Sequence, residues 1–248
     1  MDIADGVSGP TIPRYLALLW GRDDPAPRRG PRPTITIHDI GRTAVAIADA
    51  HGVEAVSMKA IAADLGLSTM SLYRYVDSKD DIYELMVDEA YGQADRTLTA
   101  SGDWRARVRT WALAIADGLR QRPWLATIPM ARPPVGPRVL SWTEIGVQCF
   151  ADTSLTGEQK LNALLLVDGF VRQHVRQSTQ MGLLESGPDS NGHTYEELLV
   201  ELVTPAEFPH LASAAADQDQ TDDDFFTEQL DFGLSVILDG LAGLVESQ

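Results

Sequence analysis

The sequence predicts an all-α chain in which a three-helix helix-turn-helix head and a connecting helix precede a larger helical domain. Three observations predict it. Beyond Asp103 no stretch alternates β-branched residues with a period of two, as a half-buried strand would. Thr36, Ser57, Ser68 and Ser78 all stand where a helix would be capped: each is followed four positions later by an apolar residue (Ile40, Ile61, Leu72, Ile82), and the first three are preceded by one. Apolar stripes at helical spacing run through residues 157–183 and 223–246.

The elements follow in order. Residues 1–34 are rich in proline and arginine and read as an irregular arm, with at most one short docking helix over Tyr15-Leu16-Ala17-Leu18-Leu19-Trp20. The first regular helix runs from about Thr36 to His51, buries Ile40, Ala44, Ile47 and Ala48, and stops at Gly52. A short second helix, Met58 to Leu65, ends at Gly66. Only Gly66 and Leu67 separate it from the next cap at Ser68, so the third helix, Thr69 to Tyr75, starts at a steep angle to the second, the geometry of a helix-turn-helix. These helices make residues 35–79 the head. A connecting helix from Lys79 to about Thr97 leads through residues 80–101 to a boundary at Ser101-Gly102. In residues 102–248 helices are expected near 103–121, 123–131, 137–151, 157–183 and 223–246. A short helix near 195–203 lies between loops at 185–193 and 217–224.

Composition narrows the function. No apolar run approaches the roughly 20 residues that span a bilayer, and the acidic start lacks the basic region of a secretory signal, so no membrane role and a cytoplasmic address are expected. The one cysteine, Cys149, and five scattered histidines form no metal-ligand pattern; neither metal nor cofactor is expected. Cys149 with His174 as base would be the best catalytic pair, but nothing local activates the thiol and no Gly-x-Ser-x-Gly or phosphate loop is present, so an enzyme is not expected. The net charge of −16 opposes phosphate binding at first sight, yet it is unevenly spread. From Arg28 to Lys79 seven basic residues face five acidic ones, whereas from Thr99 onward ten face twenty-one. The acid of the second domain repels DNA and turns the head toward it.

In the third helix Leu72 and Val76 must face the core, which leaves Thr69, Met70, Ser71, Tyr73 and Arg74 around the rest of the surface. Small hydroxyl and apolar groups suit base edges and thymine methyls, Tyr73 and Tyr75 can donate to phosphates, and Arg74 can reach a guanine or a phosphate. Lys59 and Lys79, each in the first turn of its helix, are placed to clamp the backbone. A lone Tyr-Arg-Tyr is more often a solvated face; two short helices, a two-residue turn and flanking lysines favour double-stranded DNA as the partner. The rival is a helical ligand- or protein-binding module with a non-functional DNA head.

At these residues the chain resembles the tetracycline-repressor (TetR) family of bacterial regulators. Ala60-Ile61-Ala62-Ala63-Asp64-Leu65-Gly66-Leu67-Ser68, then Ser71-Leu72-Tyr73-Arg74-Tyr75-Val76 and Lys79-Asp80-Asp81-Ile82, are similar to that family's signature almost position for position. The arm Arg29-Gly30-Pro31-Arg32-Pro33 resembles the leader of its actinobacterial members, and Phe232-Gly233-Leu234 with Ile237-Leu238-Asp239-Gly240-Leu241 resembles the last helix of its tetracycline-repressor-type C-terminal domain. The resemblance implies an Ω-shaped homodimeric repressor that leaves a palindromic operator when a small organic effector binds the second domain. It carries DNA contact over to Lys59, Thr69, Met70, Ser71, Tyr73, Arg74, Tyr75 and Lys79. In the tetracycline repressor a histidine that holds the drug's magnesium aligns with Ile128 here, which implies an organic effector held without metal.

Two further sets complete the reading. Phe226, Leu230, Leu234, Ile237, Leu241 and Leu244 form an apolar stripe, Gly233 and Gly240 form a second one, and Leu161, Leu164, Leu165 and Val171 with Gly169 mark a comparable face upstream. Core packing accounts for part of each stripe; two long helices with more than one apolar face favour a four-helix homodimer interface through Leu161, Leu164, Gly169, Leu230, Gly233, Ile237, Gly240 and Leu241. Trp111, Trp142, Phe170, Gln173, His174 and Gln177, with Ile128, supply aromatic walls and a few polar groups suited to a planar organic effector. For any single tryptophan core filling is the commoner role, and His174 fits equally well a core histidine bonded to a carbonyl.

Overall fold

The computed structural model describes residues 12–22, 35–181, 201–216 and 225–246, and these contain helices and turns with no strand. Helix α1, Arg14–Leu19, buries Tyr15, Leu16 and Leu19. Helix α2, Ile37–His51, starts with a reciprocal cap: the Thr36 hydroxyl accepts from the Asp39 amide at 3.2 Å, and the Asp39 carboxylate accepts from the Thr36 amide at 2.7 Å. These bonds to Thr36 hold the Asp39 carboxyl below the usual carboxylate range. A 3₁₀ turn at Val53–Ala55 then leads to α3, Met58–Asp64, and to α4, Thr69–Leu72. Helix α5, Lys79–Tyr91, opens on a second reciprocal cap between Ser78 and Asp81.

The second domain holds α6 (Trp104–Gln121), α7 (Trp124–Thr127), α8 (Pro137–Cys149), α9 (Gly157–Gln180), α10 (Pro209–Ala216) and α11 (Phe225–Glu246). Helix α9 is its spine, packing against α6, α7, α8 and α11. The expected loops at 185–193 and 217–224, and most of the expected helix at 195–203, lie outside the described residues.

Three of the expected helices are shorter than the spacing suggested. The connecting helix stops at Tyr91 rather than Thr97, because Gly92 takes φ +63° and reverses the chain. Regular helix in α4 ends at Leu72, with turns through Tyr75. Helix α7 ends at Thr127 rather than near residue 131. Ile128 turns to ψ 129°, out of the helical region, because Pro129 follows it directly: proline has no amide to donate and holds the residue before it in extended backbone.

Helix α5 belongs to both domains, packing on α2 in the head and on α8 beyond it. The joint to α8 rests on Asp88, which is fully buried. Its Oδ1 accepts from the amides of Arg138 at 2.9 Å and Val139 at 3.1 Å, so a residue of one helix caps the start of another. Pro137, in the first turn, has no amide to satisfy. The contact is so close that a Cβ on Gly136 would lie 2.2 Å from Asp88 Oδ1. Gly136→Ala is therefore expected to lower stability by about 1–3 kcal/mol through overpacking, and a thermal melt showing a Tm equal to the parent's would contradict this joint.

Candidate functional site

The helix-turn-helix is set by its turn. After α3, the amide of Leu67 bonds the carbonyl of Ala62 at 2.8 Å and that of Gly66 bonds Ala63 at 3.2 Å, the two bonds of a Schellman stop. Gly66 supplies the φ of +66° this stop needs. Helix α4 restarts at once: the Ser68 hydroxyl accepts from the Ser71 amide at 3.2 Å and pairs with the Ser71 hydroxyl at 2.8 Å. Leu72 and Val76 are buried beneath α4 and pin it to the head.

The opposite surface is open. Met70 is 74% exposed, Tyr73 and Arg74 are exposed, and Thr69 and Ser71 are half-buried beside them. Lys59 and Lys79 are exposed on either side, and neither they nor Arg74 forms an ion pair among the described residues. The Lys79 ammonium lies 5.2 Å from the centroid of the Tyr83 ring. Tyr75 differs from the rest: half-buried, it donates its hydroxyl to the Ile35 carbonyl at 3.2 Å. The expected phosphate donor is thus committed inside the head, where it ties the entry of α2 to the end of the recognition segment.

In the second domain the expected effector residues fall into two groups. Trp111 is buried and donates to the Trp142 carbonyl at 2.9 Å; Trp142 donates to the carbonyls of Tyr91 at 3.3 Å and Gly92 at 3.2 Å, capping the end of α5. Beside them lies a cavity of about 40 Å³ lined by Ala90, Tyr91, Ala114, Ile115, Gly118, Leu119, Leu125 and Trp142. Burial pushes the Tyr91 phenol up to about 12, against the opposing pull of Arg172, to which it is hydrogen-bonded. Ile128 is buried and lines neither this cavity nor the next. Phe170, Gln173, His174 and Gln177 instead line an open groove of about 590 Å³ between α9 and α11, with Glu228, Gln229, Phe232 and Gly233 opposite. His174, half-buried in the wall of this groove, is held between the rings of Phe170 and Phe226 and bonds the Phe226 carbonyl at 2.9 Å.

The expected dimer residues also divide. Leu164, Leu230 and Leu241 are buried within the protomer, and Gly233, half-buried in the wall of that groove, has the ring of its own Phe170 against it. Ile237 is half-buried. Leu161, Gly169 and Gly240 are exposed, and nothing lies within 4 Å of a Cβ added at either glycine. Leu165, part of the same expected stripe, is 72% exposed, and Leu166, Phe232 and Val236, which the stripes did not include, are exposed as well.

A polar cluster at the junction of the two domains escaped the sequence reading. Glu84, buried on α5, accepts from the Tyr15 hydroxyl at 2.5 Å and pairs with the Arg132 guanidinium. Arg132 also donates to the Tyr15 oxygen at 2.6 Å and to Asp81 at 3.1 Å. Burial, reinforced by Glu84, raises the Tyr15 phenol well above its ordinary value. The available signal was Asp81, Glu84 and Asp88, three acids at i, i+3 and i+7 on one face of a helix whose other residues are mostly apolar.

A turn-linked pair of short helices presenting an open face, joined through one helix to a larger helical domain, defines a helix-turn-helix regulator. The family described as bacterial regulatory proteins, tetR family, matches residues 40–86, and the tetracyclin repressor-like C-terminal domain matches residues 98–245. The HTH-type transcriptional repressor DrrR1 of Streptomyces coeruleorubidus is 34% identical over 244 residues, covering 94% of this chain and 87% of that protein. The HTH-type transcriptional repressor Rv1353c of Mycobacterium tuberculosis is 26% identical over 229 residues, 88% of this chain and 85% of the relative. The crystal structure of ActR from Streptomyces coelicolor in complex with actinorhodin shares the fold, with a TM-score of 0.72 at 22% identity over 86% of this chain and 97% of that one. The chain belongs to the tetR family.

The turn that aims α4 can be tested directly. A Cβ on Gly66 would meet open space, so the penalty of Gly66→Ala is purely that of the backbone angle. It is expected to destabilise by about 1 kcal/mol in urea titration, and an unchanged midpoint would show that the φ above is not required.

Proposed function

We propose that this chain is a ligand-responsive repressor: a homodimer that binds a palindromic operator and releases it when a small organic molecule enters the second domain. The observation that carries the reading is the outward surface of α4. Met70, Tyr73 and Arg74 are held in the open by a buried Leu72 and Val76, with exposed cations at Lys59 and Lys79 on both sides. Such a face has little to do in a folded protomer and the right chemistry for a major groove flanked by phosphates. Catalysis has no comparable support: Cys149 is fully buried, its Sγ is bonded to the Ile145 carbonyl at 3.3 Å, and burial pushes its thiol up.

The effector reading rests on the tie between Trp142 and the end of α5. The adjoining cavity is far below the roughly 300 Å³ or more that organic ligands occupy, so a ligand entering there displaces Trp142 or its neighbours. Displacement of Trp142 moves the carbonyls it caps, tilts α5, and respaces two recognition helices that must meet grooves about 34 Å apart. ActR, in complex with actinorhodin, shows the same fold holding an organic molecule. For the dimer, Leu161, Leu165 and Gly169 on α9 and Phe232, Val236 and Gly240 on α11 form the uncovered faces, with the glycines allowing close helix approach.

Two measurements test this. Duplexes selected from random DNA by the parent should bind the Tyr73→Ala/Arg74→Ala variant at least about tenfold more weakly, with a shallower salt dependence; equal affinity would overturn the assignment of α4. Val236→Arg places a charge on the uncovered face of α11 and should yield monomers in sedimentation at concentrations where the parent is dimeric. A variant that remains dimeric would remove this face from the interface.

A further inference from the structure

Helix α1 lies outside both regions matched by the family, 40–86 and 98–245, yet it touches both domains. Its apolar side packs on the head: Leu16 and Leu19 are buried, and α1 contacts α2. Its polar groups reach elsewhere. The Tyr15 hydroxyl sits between Glu84 of α5 and Arg132 of the segment that joins α7 to α8, donating to the first at 2.5 Å and accepting from the second at 2.6 Å. The Arg132 guanidinium also lies 5.4 Å from the Tyr15 ring centroid. Just past the end of α1, the Trp20 indole donates to the Val135 carbonyl at 3.0 Å. One short helix therefore grips the α7–α8 segment at two points while resting on the head.

The other end of that grip reaches the recognition segment through Asp81. Arg132 donates to Asp81 Oδ1 at 3.1 Å, and Asp81 Oδ2 accepts from the amides of Asp77 at 2.8 Å and Ser78 at 3.1 Å. Asp77 follows directly on Val76, the buried anchor that holds the recognition segment down. Glu84 is buried, and a buried carboxylate needs its partners, so Arg132 cannot leave without leaving an uncompensated charge. We propose that α1 is a strap: Tyr15 and Trp20 are positioning residues that hold the α7–α8 segment against the head, so that a movement of that segment reaches the cap of α5 and the recognition helix.

The inference extends the operator-binding reading and can fail separately from it. By reciprocity, if the α7–α8 segment acts on the head, a duplex on the head must act on that segment. The experiment is hydrogen–deuterium exchange on the full chain, with and without a duplex selected from random DNA, comparing the parent with Tyr15→Phe/Trp20→Phe. Tyr15→Phe keeps the buried ring and removes only the hydroxyl's bonds, and Trp20→Phe removes the indole N–H at an exposed position while leaving a smaller aromatic ring, so a helix that merely covers apolar surface would show little difference. In the parent, duplex binding should slow exchange of the amides in residues 130–139 by about fivefold or more, the lower range of allosteric coupling. In the double variant that slowing should largely vanish, and exchange in the same residues and in residues 77–81 should be faster in the free protein. Equal slowing in both proteins, or none in the parent, overturns the strap. A parent that selects no duplex overturns the operator reading instead, and the free-protein comparison then decides the strap alone. Should the double variant melt early, Tyr15→Phe alone gives the same comparison with half the grip removed.

Discussion

The structure depends on one constraint: carboxylates buried on α5 must find partners, and those partners lie on other elements. Asp81, Glu84 and Asp88 are all buried on a helix shared by the two domains. Each reaches across to another element, Glu84 to Tyr15 and Arg132, Asp88 to the amides that open α8, and Asp81 to Arg132 in addition to its own cap. Apolar contacts between α5 and its neighbours would tolerate sliding, because burial has no preferred direction. Charge-assisted bonds do not, because a displaced carboxylate in a dry site loses its solvation and its partner together. The junction is thus specified by geometry as well as held by area.

A second pair of bonds secures the same junction from the other side. Asp49, near the end of α2, accepts from the Trp124 indole at 2.8 Å and from Arg122 at 3.0 Å. The stretch from Arg122 to Val135 is therefore anchored to the head near its start through Asp49 and near its finish through Tyr15, Trp20 and Glu84. Between these anchors, Leu125 lines the small cavity and α7 packs on α9.

Much of this was legible in the sequence, for identifiable reasons. Thr36, Ser57, Ser68 and Ser78 each cap a helix, because a hydroxyl that satisfies an orphan amide is a local device whose partner is three residues away. Gly52 and Gly66 mark stops for the same local reason. Gly92 is the counterexample: a glycine inside an otherwise helical pattern can be tolerated or can end the helix, and here it ends α5. Spacing also cannot say which of two apolar faces meets the protomer's own core. Leu230, Leu234 and Leu241 pack inward on α11, while Phe232 and Val236 face out, though both sets repeat at helical intervals. The seven residues gathered as one effector site separate for a related reason, since Trp142 and Phe170 lie on neighbouring helices whose rotation about their axes no local pattern records. The Tyr15–Glu84–Arg132 cluster is legible least of all, as it joins residues 69 and 117 positions apart.

The proposed pairing of α9 and α11 through their uncovered leucines and valine would have a consequence for how the protein behaves in the cell. Wherever a protomer's stability draws on burying such a face against a second copy, the folded population follows the amount of protein present, by mass action. Scarcity then acts twice, removing copies and weakening those that remain, so that supply of the chain becomes a control in its own right, steeper than simple proportion.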